Sequence, residues 1–158
     1  MLSPCTDTPT DADALAASAS VDRIVAFFET LSPASLAGIG FVYAADAQFK
    51  DPFSEVQGLT AVERVYAHMF ESLHAPRFVV TGRVLQGSEC FLTWNFCFRF
   101  KSIQPAQEQT VRGCSHLVLD GQGRIAVHRD YWDVAEELYE KIPGLAALMR
   151  WLKKRAST

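Results

Sequence analysis

Cys90-Phe91-Leu92-Thr93-Trp94-Asn95-Phe96-Cys97-Phe98-Arg99-Phe100-Lys101 is the stretch that decides the fold class. Side chains of a strand alternate between faces. Cys90, Leu92, Trp94, Phe96, Phe98 and Phe100 therefore share one wholly apolar face, while Phe91, Thr93, Asn95, Cys97 and Arg99 form a mixed one. Such a strand needs cover on both sides. One side is expected to be core, and the other a lined pocket or a subunit contact. If it is a contact, a homodimer through the sheet is the simplest arrangement.

The same period of two extends outward. Phe78 to Leu85 reads as a strand before the long one, with Pro76 closing the region ahead of it. Ser102 to Gln107 is a turn, Thr110 to Leu119 a third strand, Asp120 to Gly123 a tight turn, and Arg124 to Trp132 a fourth strand. A helix follows Asp133 to about Ile142, Pro143-Gly144 breaks it, and an amphipathic segment with Leu145, Leu148, Met149 and Leu152 comes last.

Upstream, residues 1–17 are small, polar and rich in Pro, Thr and Asp, and read as a disordered lead. Residues 18–158 read as one domain. Ser18 or Ser20 caps a first helix with a stripe of Val21, Ile24, Val25, Phe28 and Leu31. Ser32-Pro33 restarts a helix lined by Leu36, Ile39 and Tyr43. Ala47 to Asp51 is a short strand stopped by Asp51-Pro52, and Phe53 to Gly58 returns from it. Thr60-Ala61-Val62-Glu63 has the form of a capping box opening a helix to about Leu73, with Val62, Val65, Tyr66, Met69 and Phe70 inward. Helices grouped on one face of an antiparallel sheet make an α+β domain.

Composition narrows the function classes. The 158 residues are 49% apolar and 21% charged, with a net charge of −3, which leaves no electrostatic footprint for nucleic acid. Arg150, Lys153, Lys154 and Arg155 cluster at a helix end, where they complement the helix dipole; no membrane partner is expected. Cys5, Cys90, Cys97 and Cys114 show neither a CxxC nor a framework spacing, which points to a reducing cytoplasm.

Three pieces carry a family resemblance: Phe41 to Phe53, with Asp51-Pro52 near its end; Gly58 before a helix; and Gly121-Gln122-Gly123-Arg124-Ile125 leading into the last strand. Together they resemble the nuclear-transport-factor-2-like superfamily, and within it the SnoaL-like polyketide cyclases, ketosteroid isomerases and limonene epoxide hydrolases. The resemblance covers about residues 20–133. It implies a cystatin-like cone of curved antiparallel sheet wrapped on helices, open at one end on an apolar pocket, here with extra C-terminal helices. Asp51-Pro52 matches the general base of the isomerases, a system whose base and oxyanion hole are well characterised. The isomerase first-helix Tyr falls near Ile24 and its oxyanion Asp at about Ser115, so the base is matched and the oxyanion hole is not. Arg129-Asp130-Tyr131-Trp132-Asp133 matches the catalytic Asp pattern of the epoxide hydrolases, whose partner positions fall at about Asn95, Cys97, Phe49 and Asp51 with none retained.

Asp51 and Asp130 are therefore the candidate catalytic residues, each with a plainer reading: a strand-ending turn for Asp51, and a surface acid paired with Arg124 or Arg129 for Asp130. Phe49, Tyr66, Asn95, Cys97, Ser115, His116, His128 and Trp132 are the candidate ligand contacts. The last hairpin has two registers. One sets Ser115 opposite His128 and Gly113 opposite Asp130, leaving space above the acid. The other sets His116 opposite His128 and Cys114 opposite Asp130. No metal and no cofactor are expected. The function these residues suggest is acid–base chemistry of the isomerase, cyclase or hydratase type on a small, largely apolar, carbonyl-containing molecule. The alternative is a non-catalytic small-molecule-binding or dimerisation module of the same fold.

Overall fold

The computed structural model describes residues 11–102, 105–142 and 144–156. Six strands form one curved, unclosed sheet. They are β1 (Tyr43–Lys50), β2 (Glu55–Gln57), β3 (Leu73–Gln86), β4 (Glu89–Phe100), β5 (Gln109–Leu119) and β6 (Ile125–Tyr131), in the order β2-β1-β6-β5-β4-β3. Strands β3 to β6 are the expected antiparallel meander, and the contact of β1 with β6 is the one parallel pairing among the described strands. Helix α1 (Asp11–Glu29) packs on β3, and α2 (Leu59–Ser72) packs on β1 and β3. The architecture is α+β, with α3 (Val134–Glu137) and α4 (Leu145–Ala156) added after the sheet.

The core lies between the helices and the apolar face of β4. Val21, Ile24 and Phe28 of α1 and Val62 and Tyr66 of α2 are buried with Cys90, Leu92, Trp94 and Phe98. Each large side chain removed from water this way contributes about 1.5–3 kcal/mol. Three long-range bonds orient α1: Arg23 donates to the Gly123 carbonyl at 2.8 Å, Glu29 accepts from the Val80 amide at 3.0 Å, and Asp22 accepts from Arg83.

Several local expectations are corrected. Residues 11–17 belong to α1, which begins ahead of Ser18; residues 1–10, with Cys5, lie outside the described residues. Tyr43 opens β1 rather than lining a helix, and Ser35–Phe41 is a 3-10 segment. The capping box does not form. Gly58, at φ +91°, is itself the N-cap, and its carbonyl accepts from Ala61 and Val62, so Thr60 already lies inside the helix. Pro76 does not end a segment. It sits within edge strand β3 at an interruption of the pairing between His74 and Arg77, where a missing amide is tolerated. Ile103, Gln104 and Pro143 lie outside the described residues.

The last hairpin takes neither expected register. Ser115 pairs with Asp130 and Leu117 with His128, because a bulge between Val118 and Leu119 shifts the ladder. The shift is two residues from the first alternative, so Ser115, His128 and Asp130 keep a common face. The space expected at Gly113 is filled: a Cβ there would lie 2.2 Å from the Trp94 indole.

Candidate acid–base site on the inner wall of the sheet

The concave face closes around a cavity of about 370 Å³, walled by Phe49, Phe78, Phe96, Phe98, Phe100 and Trp132, with Leu138 from beyond α3 and residues of α2. Asp51 and Asp130 both line it. Tyr66 lines it from α2, while the exposed side chain of His68 reaches only its mouth.

Alternation along β5 and β6 brings Ser115, His128 and Asp130 to this face. Asp130 Oδ1 accepts from Ser115 Oγ at 2.5 Å and lies 2.8 Å from His128 Nε2. Trp94 Nε1 donates to Ser115 Oγ at 2.8 Å. On the other side of the imidazole, Tyr43 Oη lies 2.5 Å from His128 Nδ1 and 2.8 Å from Tyr66 Oη. A carboxylate only accepts, so Nε2–H donates to Asp130, and in the neutral imidazole Nδ1 accepts from Tyr43. Two donor chains, Trp94–Ser115 and Tyr66–Tyr43–His128, thus end on one carboxylate oxygen. Asp130 Oδ2 takes no hydrogen bond from the described residues.

This network is buried. Tyr43 is fully buried and His128 is 3% exposed. Phe28 and Phe49 stand edge-on to the imidazole, at 5.7 and 4.9 Å between centroids. Burial, then the neighbouring Tyr66, pushes the Tyr43 phenol well above its ordinary range; burial, then the charge of Asp130, does the same to Tyr66. Both phenols keep their protons and act as hydrogen-bonding groups.

Asp51 differs. Its Oδ1 accepts from the amides of Phe53 and Ser54, the turn role of an Asp that ends a strand. Burial nevertheless raises its pKa, with the charge of Asp130 adding to the rise against those two bonds.

Of the ten candidate residues, seven converge on the cavity or its network: Phe49, Asp51, Tyr66, Ser115, His128, Asp130 and Trp132. Asn95, Cys97 and His116 are corrections. Asn95 and Cys97 alternate with the cavity-lining Trp94, Phe96 and Phe98, which puts them on the outer face, where Cys97 meets Thr110. His116 is also outside, stacked on Phe91 and paired with Glu89. The apolar face of β4 supplies both core and pocket, so its mixed face supplies neither. Asp130 pairs with neither Arg124, which bonds Asp120, nor Arg129, which stacks on Tyr131. Tyr43 and Trp94 are polar members of the network that sequence reading assigned to packing. The strand-forming run Phe41-Val42-Tyr43 after Gly40 is the signal that could have moved Tyr43 into β1.

Among the described residues no group of three His, Cys, Asp or Glu could hold a metal ion. Cys90, Cys97 and Cys114 are free thiols, and no described helix is long and apolar enough to cross a membrane.

The profile of the SnoaL-like domain family matches residues 24–128, and the chain belongs to that family. No curated protein matches the sequence. Solved structures share the fold at low identity. A hypothetical protein with a ketosteroid isomerase-like fold from Catenulispora acidiphila, in complex with trimethylamine, is 17% identical at TM-score 0.64, over 75% of this chain and 88% of that one. An epoxide hydrolase from Mycobacterium tuberculosis, like the limonene enzyme, is 16% identical at TM-score 0.64, over 86% and 96%. A protein classed as a SnoaL-like polyketide cyclase from Jannaschia is 14% identical at TM-score 0.65, over 82% and 91%.

Proposed function

We propose that this SnoaL-like domain carries out cofactor-free acid–base chemistry, of the isomerase, cyclase or hydratase type, on a small, largely apolar, carbonyl-containing molecule. The observation that carries the reading is Asp130: one oxygen takes two hydrogen bonds, and the other is left at an aromatic-walled cavity. Oδ2 is the base that removes a proton from carbon beside the carbonyl. Ser115 and His128 hold the carboxylate in one orientation. Asp51, its pKa raised by burial and by the nearby acid, is the group that returns a proton. Asp51 then supplies the acid and Asp130 the base, as two neighbouring carboxyl groups can. Epoxide-hydrolase and polyketide-cyclase relatives of the same fold support a small-molecule site.

The test is α-proton exchange of 2-tetralone and cyclohexanone in D2O, followed by NMR. Wild-type protein should accelerate exchange, and Asp130→Asn should slow it by about 10²–10⁴-fold. The reading fails if neither ketone exchanges faster than in buffer, or if Asp130→Asn exchanges as fast as wild type.

One observation favours the non-catalytic reading: Asp51 Oδ1 is committed to its turn, as a structural acid would be. Val79, Val84 and Phe91 leave apolar surface on the outer face, which supports a homodimer through the sheet. Sedimentation equilibrium of wild type and Phe91→Ser tests that assembly: a dimer weakened by the variant supports it, and a monomeric wild type rejects it.

A further inference from the structure

We propose that α4 docks on an anionic lipid surface, lying in the plane of the headgroups. This goes beyond the catalytic reading and does not depend on it. The helix meets the rest of the described chain chiefly at the 3-10 turn Tyr139–Lys141. At 100° per residue, Trp151, Leu148, Leu152, Leu145 and Met149 fill one arc. Such a stripe normally faces a core. Here Leu145, Leu148, Trp151 and Leu152 remain 39, 48, 53 and 45% exposed.

The charge on the helix has one sign. It carries Arg150, Lys153, Lys154 and Arg155 and no Asp or Glu, in a chain whose net charge is −3. Arg150 and Lys154 lie across from the apolar arc, while Lys153, nearer its border, pairs with Glu140 at 2.6 Å and with Glu136 at 3.6 Å. Arg155 falls within the arc, between Trp151 and Leu148, with its guanidinium 4.8 Å from the Trp151 ring centroid; a long cationic side chain there can reach back to the headgroups. A helix with Trp and Leu on one side and cations on the other matches the headgroup boundary, where acyl chains meet one face and lipid phosphates the other. A second copy of the chain is a poorer partner. The exposed Val79, Val84 and Phe91 of its sheet share their face with acids that are already taken up, Glu108 by Arg77, Glu136 and Glu137 by Arg112, and Glu89 by His116, rather than left for the cationic helix. The segment leading into α4 carries Trp132 and Leu138, both cavity-lining. Docking would therefore bring the cavity near the phase in which apolar molecules dissolve.

The full chain is sedimented with vesicles of phosphatidylcholine alone, or of phosphatidylcholine mixed with phosphatidylglycerol. Cosedimentation with the anionic vesicles is expected, weakening as salt is raised, with far less on the neutral ones. Arg150→Gln with Lys154→Gln should lower partition on anionic vesicles by roughly 30-fold. Leu148→Ser with Trp151→Ser should abolish it. All four side chains are exposed, so the fold is expected to survive, as circular dichroism can verify. The proposal is overturned if wild type does not cosediment, or if binding survives both double variants. It is also overturned if a lipid-free dimer dissociates in the Leu148→Ser, Trp151→Ser variant, which would assign the face to a second copy.

Discussion

His128 and His116 stand on neighbouring strands of one sheet, each beside a carboxylate. Nε2 of His128 is 2.8 Å from Asp130, and Nε2 of His116 is 3.0 Å from Glu89. The pair geometry is nearly the same, and the surroundings are opposite. His116 lies flat on Phe91, half-buried, with its partner Glu89 exposed, where such a pair is worth about 0–1 kcal/mol. His128 is enclosed by Phe28, Phe49 and Tyr43, and both of its nitrogens are bonded. Removing one partner there strands a buried polar group. A histidine next to an acid is therefore not yet a site. The inner face, with its buried aromatic walls, sets the two apart.

The largest effect should separate the two faces in activity. Asp130→Asn should cost the roughly 10²–10⁴-fold in ketone exchange stated above, whereas His116→Ala should leave the NMR exchange rate unchanged. An equal loss in both would erase the distinction. Next is packing. Gly113→Ala drives a methyl into Trp94, whose ring atoms lie 2.2 to 2.7 Å from the new Cβ. A loss of about 1–3 kcal/mol is expected in urea unfolding. Tyr43→Phe, which leaves His128 Nδ1 and Tyr66 without their shared partner, should cost about 1–3 kcal/mol in the same assay. His116→Ala should cost no more than about 0.5 kcal/mol.

The smallest effect concerns Asp51. Its pKa in the folded chain is raised by burial and then by Asp130, so the folded state holds this proton more tightly than the unfolded state. Stability from this group is greatest below the unfolded pKa, near about 3.9, and declines as pH rises through the folded pKa. Asp51→Asn keeps an oxygen for Phe53 and Ser54 and removes that decline. The urea midpoint of the variant minus that of wild type should grow as pH rises through the folded pKa, giving a slight gain at neutral pH. A difference that shrinks or turns negative with rising pH would mean that Asp51 is stabilised as a carboxylate.

Much of the fold was legible because burial leaves a period. Alternation in β4 and spacing in α1 and α2 follow from which side chains water excludes, and no distant contact is needed to read them. Local signals misled where a neighbour in space competed. The capping box lost to the Gly58 turn, whose amide bonds Ala47 across the chain at 2.8 Å. Pro76 was absorbed by an edge strand. The basic cluster near the end of the chain reads as a dipole complement in sequence, and takes on another meaning only when the apolar arc beside it is seen to be uncovered.

The amino-acid sequence by itself determined the α+β class, the meander, the resemblance to SnoaL-like proteins and the two acids that line the cavity. Each of these is written in patterns a few residues long. The tertiary structure alone decided the hairpin register, through one bulge. It also decided which face of β4 is the pocket, through the curvature of the sheet over its helices. Tyr43, Trp94, Ser115 and His128 meet around Asp130 only because four strands bring them within hydrogen-bonding distance. Bonds between residues 13 to 85 positions apart leave no mark in local sequence.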